Sequence, residues 1–215
     1  MNVPEVLKNQ PLYCVVIFLS LLTGLVYYVI VNRKKETFTS GVFVFCFSGM
    51  ASILASAGIC CLLSKLFSTE KYAYNTVFSI FYAIITFPVF ANILQKASYK
   101  PFDLSPYLNP VVLSSFLSRI ACLKEGCCDG SIHAVKIEMA LLLLLFIYNT
   151  IKKNLSFEVF LLCYSLWRFI ADFFKIAYNF ERLGPLTVVQ YCAAVVILLS
   201  ILALLYKRRQ KNEKK

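Results

Sequence analysis

Residues 118–130, SRIACLKEGCCDG, place one arginine, three cysteines and two glycines in an otherwise hydrocarbon-like sequence. An ionisable residue at membrane depth costs about 2.5–3.5 kcal/mol on insertion scales. Arg119 is therefore expected to face the protein interior, a water-filled cavity or a lipid headgroup. Further along the chain, Arg168, Asp172 and Lys175 recur at i, i+4 and i+7, which would place them on one face of a helix.

The composition around these polar stretches is that of an integral membrane protein. Of the 215 residues, 60% are hydrophobic, and the mean hydropathy of +0.72 is too high for an ordinary soluble domain. Because a span needs about 20 apolar residues, we predict an all-α polytopic membrane helical bundle that forms a single domain over 1–215. The fourth span is diluted by polar residues and can cross only when its neighbours surround it. The seven predicted spans are 12–31, 41–66, 73–94, 106–123, 135–151, 157–178 and 187–206.

The net charge of +11 indicates orientation in the membrane rather than nucleic-acid binding. The basic residues are dispersed among the predicted loops and concentrated in a tail at 207–215, with seven on one side of the membrane and thirteen on the other. By the positive-inside rule the N-terminus is outside, the C-terminus and its tail are cytoplasmic, and residues 118–130 face the outer leaflet. The smaller set is Lys8, Lys65, Lys71, Lys124, Lys136, Lys175 and Arg182; the larger is Arg33, Lys34, Lys35, Lys96, Lys100, Lys152, Lys153, Lys207, Arg208, Arg209, Lys211, Lys214 and Lys215.

Six of the nine cysteines lie in apolar spans, where cysteine is a small hydrophobe. The other three, Cys122, Cys127 and Cys128, lie near Arg119, a cation that favours the thiolate. No metal site is expected, because there is no paired Cys-x-x-Cys spacing and His133 is the single histidine. Three roles stay open for these thiols. They could pack a glycine-flanked turn, Cys127 or Cys128 could form a disulfide with Cys122 or with another chain, or one of them could be a reactive thiolate.

Arg119 and Arg168 form a candidate phosphate site, since both are predicted to lie at the level of the outer leaflet. The planar donors of arginine bind phosphate oxygens in bidentate fashion. Lipid phosphates of the outer leaflet are the nearest anions. The alternative is structural, with Arg168 and Asp172 forming an interior ion pair that fixes helix packing.

The same polar stretches resemble motifs of the bacterial prolipoprotein diacylglyceryl transferases. Residues 164–175, YSLWRFIADFFK, resemble that family's Leu-Tyr-Gly-x-x-Arg-Phe-x-x-Glu-Phe-x-Arg run, and residues 186–190, LTVVQ, are similar to the Leu-Thr-x-Gly-Gln that follows it. Residues 118–130 resemble the signature Arg-Ile-Gly-Asn-Phe-x-x-Gly-Glu-x-x-Gly, and their cysteines occur where a divergent branch reads Gly-Cys-Phe-x-x-Gly-Cys-Cys-x-Gly. The matching signature positions are Arg119, Ile120, Gly126 and Gly130.

This resemblance implies a seven-helix enzyme of the bacterial plasma membrane, without a cofactor, whose active site opens to the outer leaflet. The family moves the diacylglyceryl group of phosphatidylglycerol to the lipobox cysteine thiol of a preprolipoprotein and releases glycerol phosphate. Arg119 and Arg168 would hold the phosphate and stabilise the departing oxygen, and Asp172 would orient Arg168. The further implied site residues are Cys127 and Cys128 as catalytic groups, and Lys175, Gly126, Gly130 and Gln190 as substrate-binding groups.

One part of the family's site has no counterpart in this chain. The family has a His-Gly-Gly segment near the start of the third span, whereas residues 66–95 contain neither histidine nor glycine. A base would have to come from Asp172, Glu125, Asp129 or a cysteine. Two alternatives therefore remain open: a catalytically inactive relative that binds phospholipid or a lipoprotein, and a membrane thiol-redox protein built on the three cysteines.

Overall fold

A computed structural model describes residues 10–34, 38–67, 79–97, 103–125, 132–173, 182–183 and 185–213. These residues form seven helices and one two-stranded antiparallel hairpin, so the predicted all-α helical bundle is confirmed. In chain order the elements are α1 (Gln10–Asn32), α2 (Phe38–Phe67), α3 (Ile80–Ala97), α4 (Ser105–Glu125), α5 (Ile132–Lys152), α6 (Phe157–Ala171), β1 (Arg182–Leu183), β2 (Leu186–Thr187) and α7 (Val188–Glu213).

Five of the described helices, α1, α2, α3, α5 and α7, are long and apolar enough to cross a membrane. The chain is therefore a multi-pass membrane protein. Helices α4 and α6, which were also predicted as spans, are not among these five: α4 contains many polar residues, and α6 has only 15 residues. The orientation of the bundle across the membrane stays a prediction.

Three of the predicted helices differ from the described ones by more than three residues at an end. The seventh, predicted over 187–206, continues to Glu213 and includes most of the predicted tail at 207–215. The third was predicted over 73–94, but Ser79 is not helical and α3 begins at Ile80. The sixth was predicted over 157–178, whereas α6 ends at Ala171 with Asp172 as its C-cap. Residues 73–78 and 174–178 lie outside the described residues.

Helices α1 and α4 pack closely because glycine occupies position 24. A Cβ atom at Gly24 would lie 2.8 Å from the carbonyl oxygen of Pro110 and would also collide with Oγ of Ser114. Small residues at such crossings let two helix backbones approach within a membrane. Gly24 is thus a packing requirement between the first and fourth helices.

A continuous run of aromatic rings fills the interior between α1, α2, α3, α4 and α6. Tyr28 and Tyr107 stack with their ring centroids 5.4 Å apart, and Phe160 and Tyr164 stack at 5.9 Å. Such contacts stabilise beyond the apolar area that they bury. We call this run the aromatic core; it consists of Tyr28, Phe45, Phe87, Tyr107, Phe157, Phe160 and Tyr164.

Candidate functional site

Helices α4, α5 and α6 bring five polar side chains together at the end of the aromatic core. Arg119 comes from α4, Glu138 from the first turns of α5, and Tyr164 and Arg168 from α6, with Asp172 at the C-cap of α6. None of the five is more than 9% exposed. We call this group the charged cluster.

Glu138 lies at the centre of the charged cluster. Its Oε1 accepts a hydrogen bond from the Tyr164 hydroxyl at 2.5 Å and contacts Nη2 of Arg119 at 2.5 Å. Nη2 of Arg119 also donates to the Tyr164 hydroxyl at 2.9 Å. Charge-assisted contacts of this length are the strong ones. One carboxylate oxygen therefore joins α4, α5 and α6.

Arg168 is held much more loosely than Arg119. Its Nη1 lies 3.8 Å from Oε2 of Glu138, and its Nη2 lies 3.7 Å from Oδ1 of Asp172. These distances are too long for hydrogen bonds. Nε of Arg168 and Oγ of Ser165, one helical turn earlier, are buried and have no hydrogen-bond partner among the described residues. The guanidinium is thus surrounded by charge but retains unused donors.

Asp172 is fixed by the hairpin that leads into α7. Oγ1 of Thr187 donates to Oδ2 of Asp172 at 2.8 Å. Gln190 positions that threonine, since its Oε1 accepts from the Thr187 amide at 2.9 Å and its Nε2 donates to the carbonyl of Phe169 at 3.1 Å. Both ends of the Gln190 amide are therefore bonded within the protein, and its role in this structure is to position Asp172.

The formal charges of the cluster balance, with two guanidinium groups facing two carboxylates. Removing ions from water costs several kcal/mol each, and a buried pair repays that cost only when its geometry is good. Arg119 satisfies this condition and Arg168 does not. A small displacement of Arg168 toward an anion would give up only weak contacts.

The structure brings together Arg119, Arg168, Asp172 and Gln190 of the predicted site residues. Arg119 and Arg168 do converge, and Glu138 is an anion beyond Asp172 that faces both of them, so the charge of the two arginines does not by itself require a lipid phosphate. Arg168 and Asp172 lie at i and i+4 as predicted, with Asp172 beyond the last helical residue. The remaining predicted site residues, Gly126, Cys127, Cys128, Gly130 and Lys175, lie outside the described residues, as does the proposed base Asp129.

Glu138 is the residue that sequence reasoning missed. It stands in the predicted fifth span, 135–151, whose other residues after Lys136 are uncharged. An intramembrane carboxylate is by default a candidate functional residue. That residue lies outside the motif segments that carry the resemblance.

The described part of the chain offers little metal or thiol chemistry. No group of three or more His, Cys, Asp or Glu side chains gathers there as a metal site would require. Five described cysteines in or beside the apolar core form no disulfide: Cys46, Cys60, Cys61, Cys163 and Cys192. For Cys122 and Glu125 the backbone alone is described, as the end of α4.

No protein-family model, no curated protein and no solved structure matches this chain. The resemblance to the diacylglyceryl transferases therefore stays a prediction from the motif residues.

Proposed function

We propose that this chain is a divergent diacylglyceryl transferase of the bacterial plasma membrane. In this proposal it takes phosphatidylglycerol and moves the diacylglyceryl group to the cysteine thiol of a preprolipoprotein or to a related acceptor. The single observation that carries the proposal is that Nε of the buried Arg168 has no hydrogen-bond partner among the described residues. A buried guanidinium with an unpartnered Nε, inside a membrane bundle, is suited to bind an anion.

The phosphate would bind Arg168 and its neighbour on the same face of α6. Ser165 and Arg168 are one turn apart, and both carry a buried polar atom without a partner in the described residues. A phosphate presents several acceptor oxygens and can engage both groups. Arg119 would add electrostatic stabilisation while it stays bonded to Glu138.

Glu138 would serve as the base that the missing histidine leaves unassigned. The acceptor sulfur attacks the glyceryl carbon that carries the phosphate oxygen, the carbon–oxygen bond breaks, and its electron pair leaves with glycerol phosphate. The thiol proton must go to a base. Oε2 of Glu138 lies 3.8 Å from Nη1 of Arg168, beside the proposed phosphate site, and would take that proton.

A second function is favoured by the charge balance of the cluster. Because two carboxylates already face two guanidinium groups, the chain can stay folded around this site without a substrate. This arrangement also suits a catalytically inactive protein that binds phospholipid or a lipoprotein. The third alternative, a thiol-redox protein, depends on cysteines outside the described residues.

The test is an in vitro assay of purified protein with labelled phosphatidylglycerol and a lipobox peptide. Wild-type protein should form the thioether, and Arg168→Ala should weaken lipid binding by about tenfold or more, which is about 1.4 kcal/mol. Arg209→Ala is the matched control, because Arg209 is 81% exposed and pairs only with Glu213 among the described residues. Lipid binding without thioether formation would select the second function. Unchanged binding by Arg168→Ala protein that inserts normally would refute both.

A further inference from the structure

A cavity of about 70 Å³ lies among α1, α2, α3 and α4, and none of the five residues of the charged cluster lines it. We call it the inner cavity. Its apolar wall comes from all four helices and includes Leu21, Phe45, Ile84, Phe87 and Val111. Nothing in the proposed transfer reaction uses this space.

Five serines also border the inner cavity, yet its exposed wall is almost entirely hydrocarbon. For four of the five serines the reason is that the hydroxyl donates back to its own helix, whereas Oγ of Ser114 has no hydrogen-bond partner among the described residues. Ser20 donates to the carbonyl of Val16 at 2.6 Å, and Ser52 donates to that of Ser48 at 2.5 Å. Ser115 and Ser118 do the same within α4 at 2.7 Å, and Oγ of Ser114 lies over Gly24.

An apolar cavity does not hold water, because a buried water needs two to four polar partners. An engineered apolar cavity of about 150 Å³ stays dry and binds benzene, so hydrocarbon is the natural content of such a space. At 70 Å³ the inner cavity has room for a short hydrocarbon segment rather than a whole ligand.

A groove on the outer surface of the bundle lies next to this cavity. A groove between α1 and α4 is lined by Val16, Leu19, Thr23, Leu117 and Ile120, and Ser20 borders both the groove and the inner cavity. Leu19 is 51% exposed on α1, a helix able to cross a membrane, and Ile120 is 38% exposed on the adjacent α4. The groove therefore faces the acyl chains of the bilayer.

We propose that the inner cavity binds the end of a phospholipid acyl chain, which enters from the bilayer through the groove between α1 and α4. The occupant follows from continuity, since Ser20 joins the cavity to a surface that lipid covers. This site is independent of the proposed phosphate site and of any transfer activity.

The test is photo-crosslinking of the wild-type protein, reconstituted in vesicles that contain a phosphatidylcholine with a diazirine at the end of one acyl chain. Peptide mass spectrometry should find adducts on Phe45 and Phe87, which are at most 4% exposed and line the cavity. Phe160 and Leu142 are the internal controls, because both are fully buried but do not line it. Adducts on Phe45 and Phe87 no more frequent than on the controls would overturn the proposal.

A filling variant gives a second readout. Ala83→Leu places a larger side chain at the cavity wall without removing any polar group. The adducts on Phe45 and Phe87 should disappear, whereas those on the exposed Leu54 should persist. Persistence of the Phe45 and Phe87 adducts would mean that the chain end reaches them by another path, and the assigned cavity would be wrong.

Discussion

Glu138 is the side chain on which the charged cluster depends. It contacts Arg119 and Tyr164 through one oxygen and Arg168 through the other. Replacement by glutamine, Glu138→Gln, leaves two buried guanidinium groups with Asp172 as their remaining carboxylate in the described structure. Breaking a buried pair in this way typically costs about 3–5 kcal/mol. We expect that loss in the free energy of unfolding, measured by denaturation in detergent micelles.

The control for this prediction is Glu158→Gln at the other end of α6. Glu158 pairs with Lys207, whose side chain is 60% exposed. Pairs that solvent reaches contribute about 0–1 kcal/mol. If both glutamine variants lose the same small amount of stability, Glu138 does not hold the cluster together.

Tyr164 tests the hydrogen bonds of the cluster separately from its ring packing. The variant Tyr164→Phe keeps the stacking on Phe160 but removes the hydroxyl that joins Arg119 and Glu138. Loss of a buried hydrogen bond that leaves polar partners behind costs about 1–3 kcal/mol. Thermal unfolding should show that loss, whereas Tyr206→Phe, at a 64% exposed position, should change little. Equal effects would contradict the assignment.

For individual side chains, the sequence predicts pairs within one helix better than contacts between helices. Arg168 and Asp172 were placed together by their i, i+4 spacing, and they are 3.7 Å apart. The contact of Arg119 with Glu138 joins α4 to α5 and follows from packing alone. The sequence shows that Glu138 is a charged residue in an apolar span, but it does not show that Arg119 is its partner.

In the packing of one helix against another, the crossing of α1 and α4 requires a glycine at position 24. The variant Gly24→Ala would drive a methyl group into the Pro110 carbonyl and Ser114. Overpacking of this kind costs about 1–3 kcal/mol. Gly58→Ala is the matched control, because no atom lies within 4 Å of the added Cβ. Gly24→Ala should lower the unfolding midpoint and Gly58→Ala should not; the same midpoint for both would show that α1 shifts without cost.

The polar residues of α4 explain how this helix is accommodated in an apolar bundle. Nδ2 of Asn109 donates to the hydroxyl of Tyr27 on α1 at 3.1 Å and to that of Thr150 on α5 at 3.2 Å. Its side-chain oxygen, Oδ1, accepts from Nδ2 of Asn149 at 2.8 Å. Neighbouring helices thus satisfy its amide, as the sequence predicted for a span this polar. The sequence could not name the partners, because they come from distant parts of the chain.

The end of α6 could not be predicted from the local sequence. Phe173 and Phe174 continue the apolar pattern, so the predicted helix ran on to 178. The observed end is set by Asp172, which Thr187 of β2 holds by a hydrogen bond. A helix boundary fixed by a tertiary contact leaves no local signal.

Across the whole molecule, the polar contacts divide between two ends of the bundle. The charged cluster joins the end of α4, the start of α5 and the end of α6. At the opposite end Asn109 joins the start of α4 to the end of α5, and Lys207 joins α7 to Glu158 at the start of α6. Helices α4 to α7 therefore alternate in direction, as the predicted spans require.

This division makes the orientation of the molecule decisive for the proposed function. Thirteen basic residues are predicted at the end that carries Lys207 and seven at the end that carries the charged cluster. The positive-inside rule predicts that the end with Lys207 is cytoplasmic and that the cluster lies toward the outer leaflet. A green fluorescent protein fused after Lys215 should therefore fluoresce, and alkaline phosphatase at the same position should be inactive, because each folds in only one compartment. The reverse pattern would place Arg168 toward the inner leaflet, and the proposed use of outer-leaflet lipid would have to be abandoned even if the bundle itself is right.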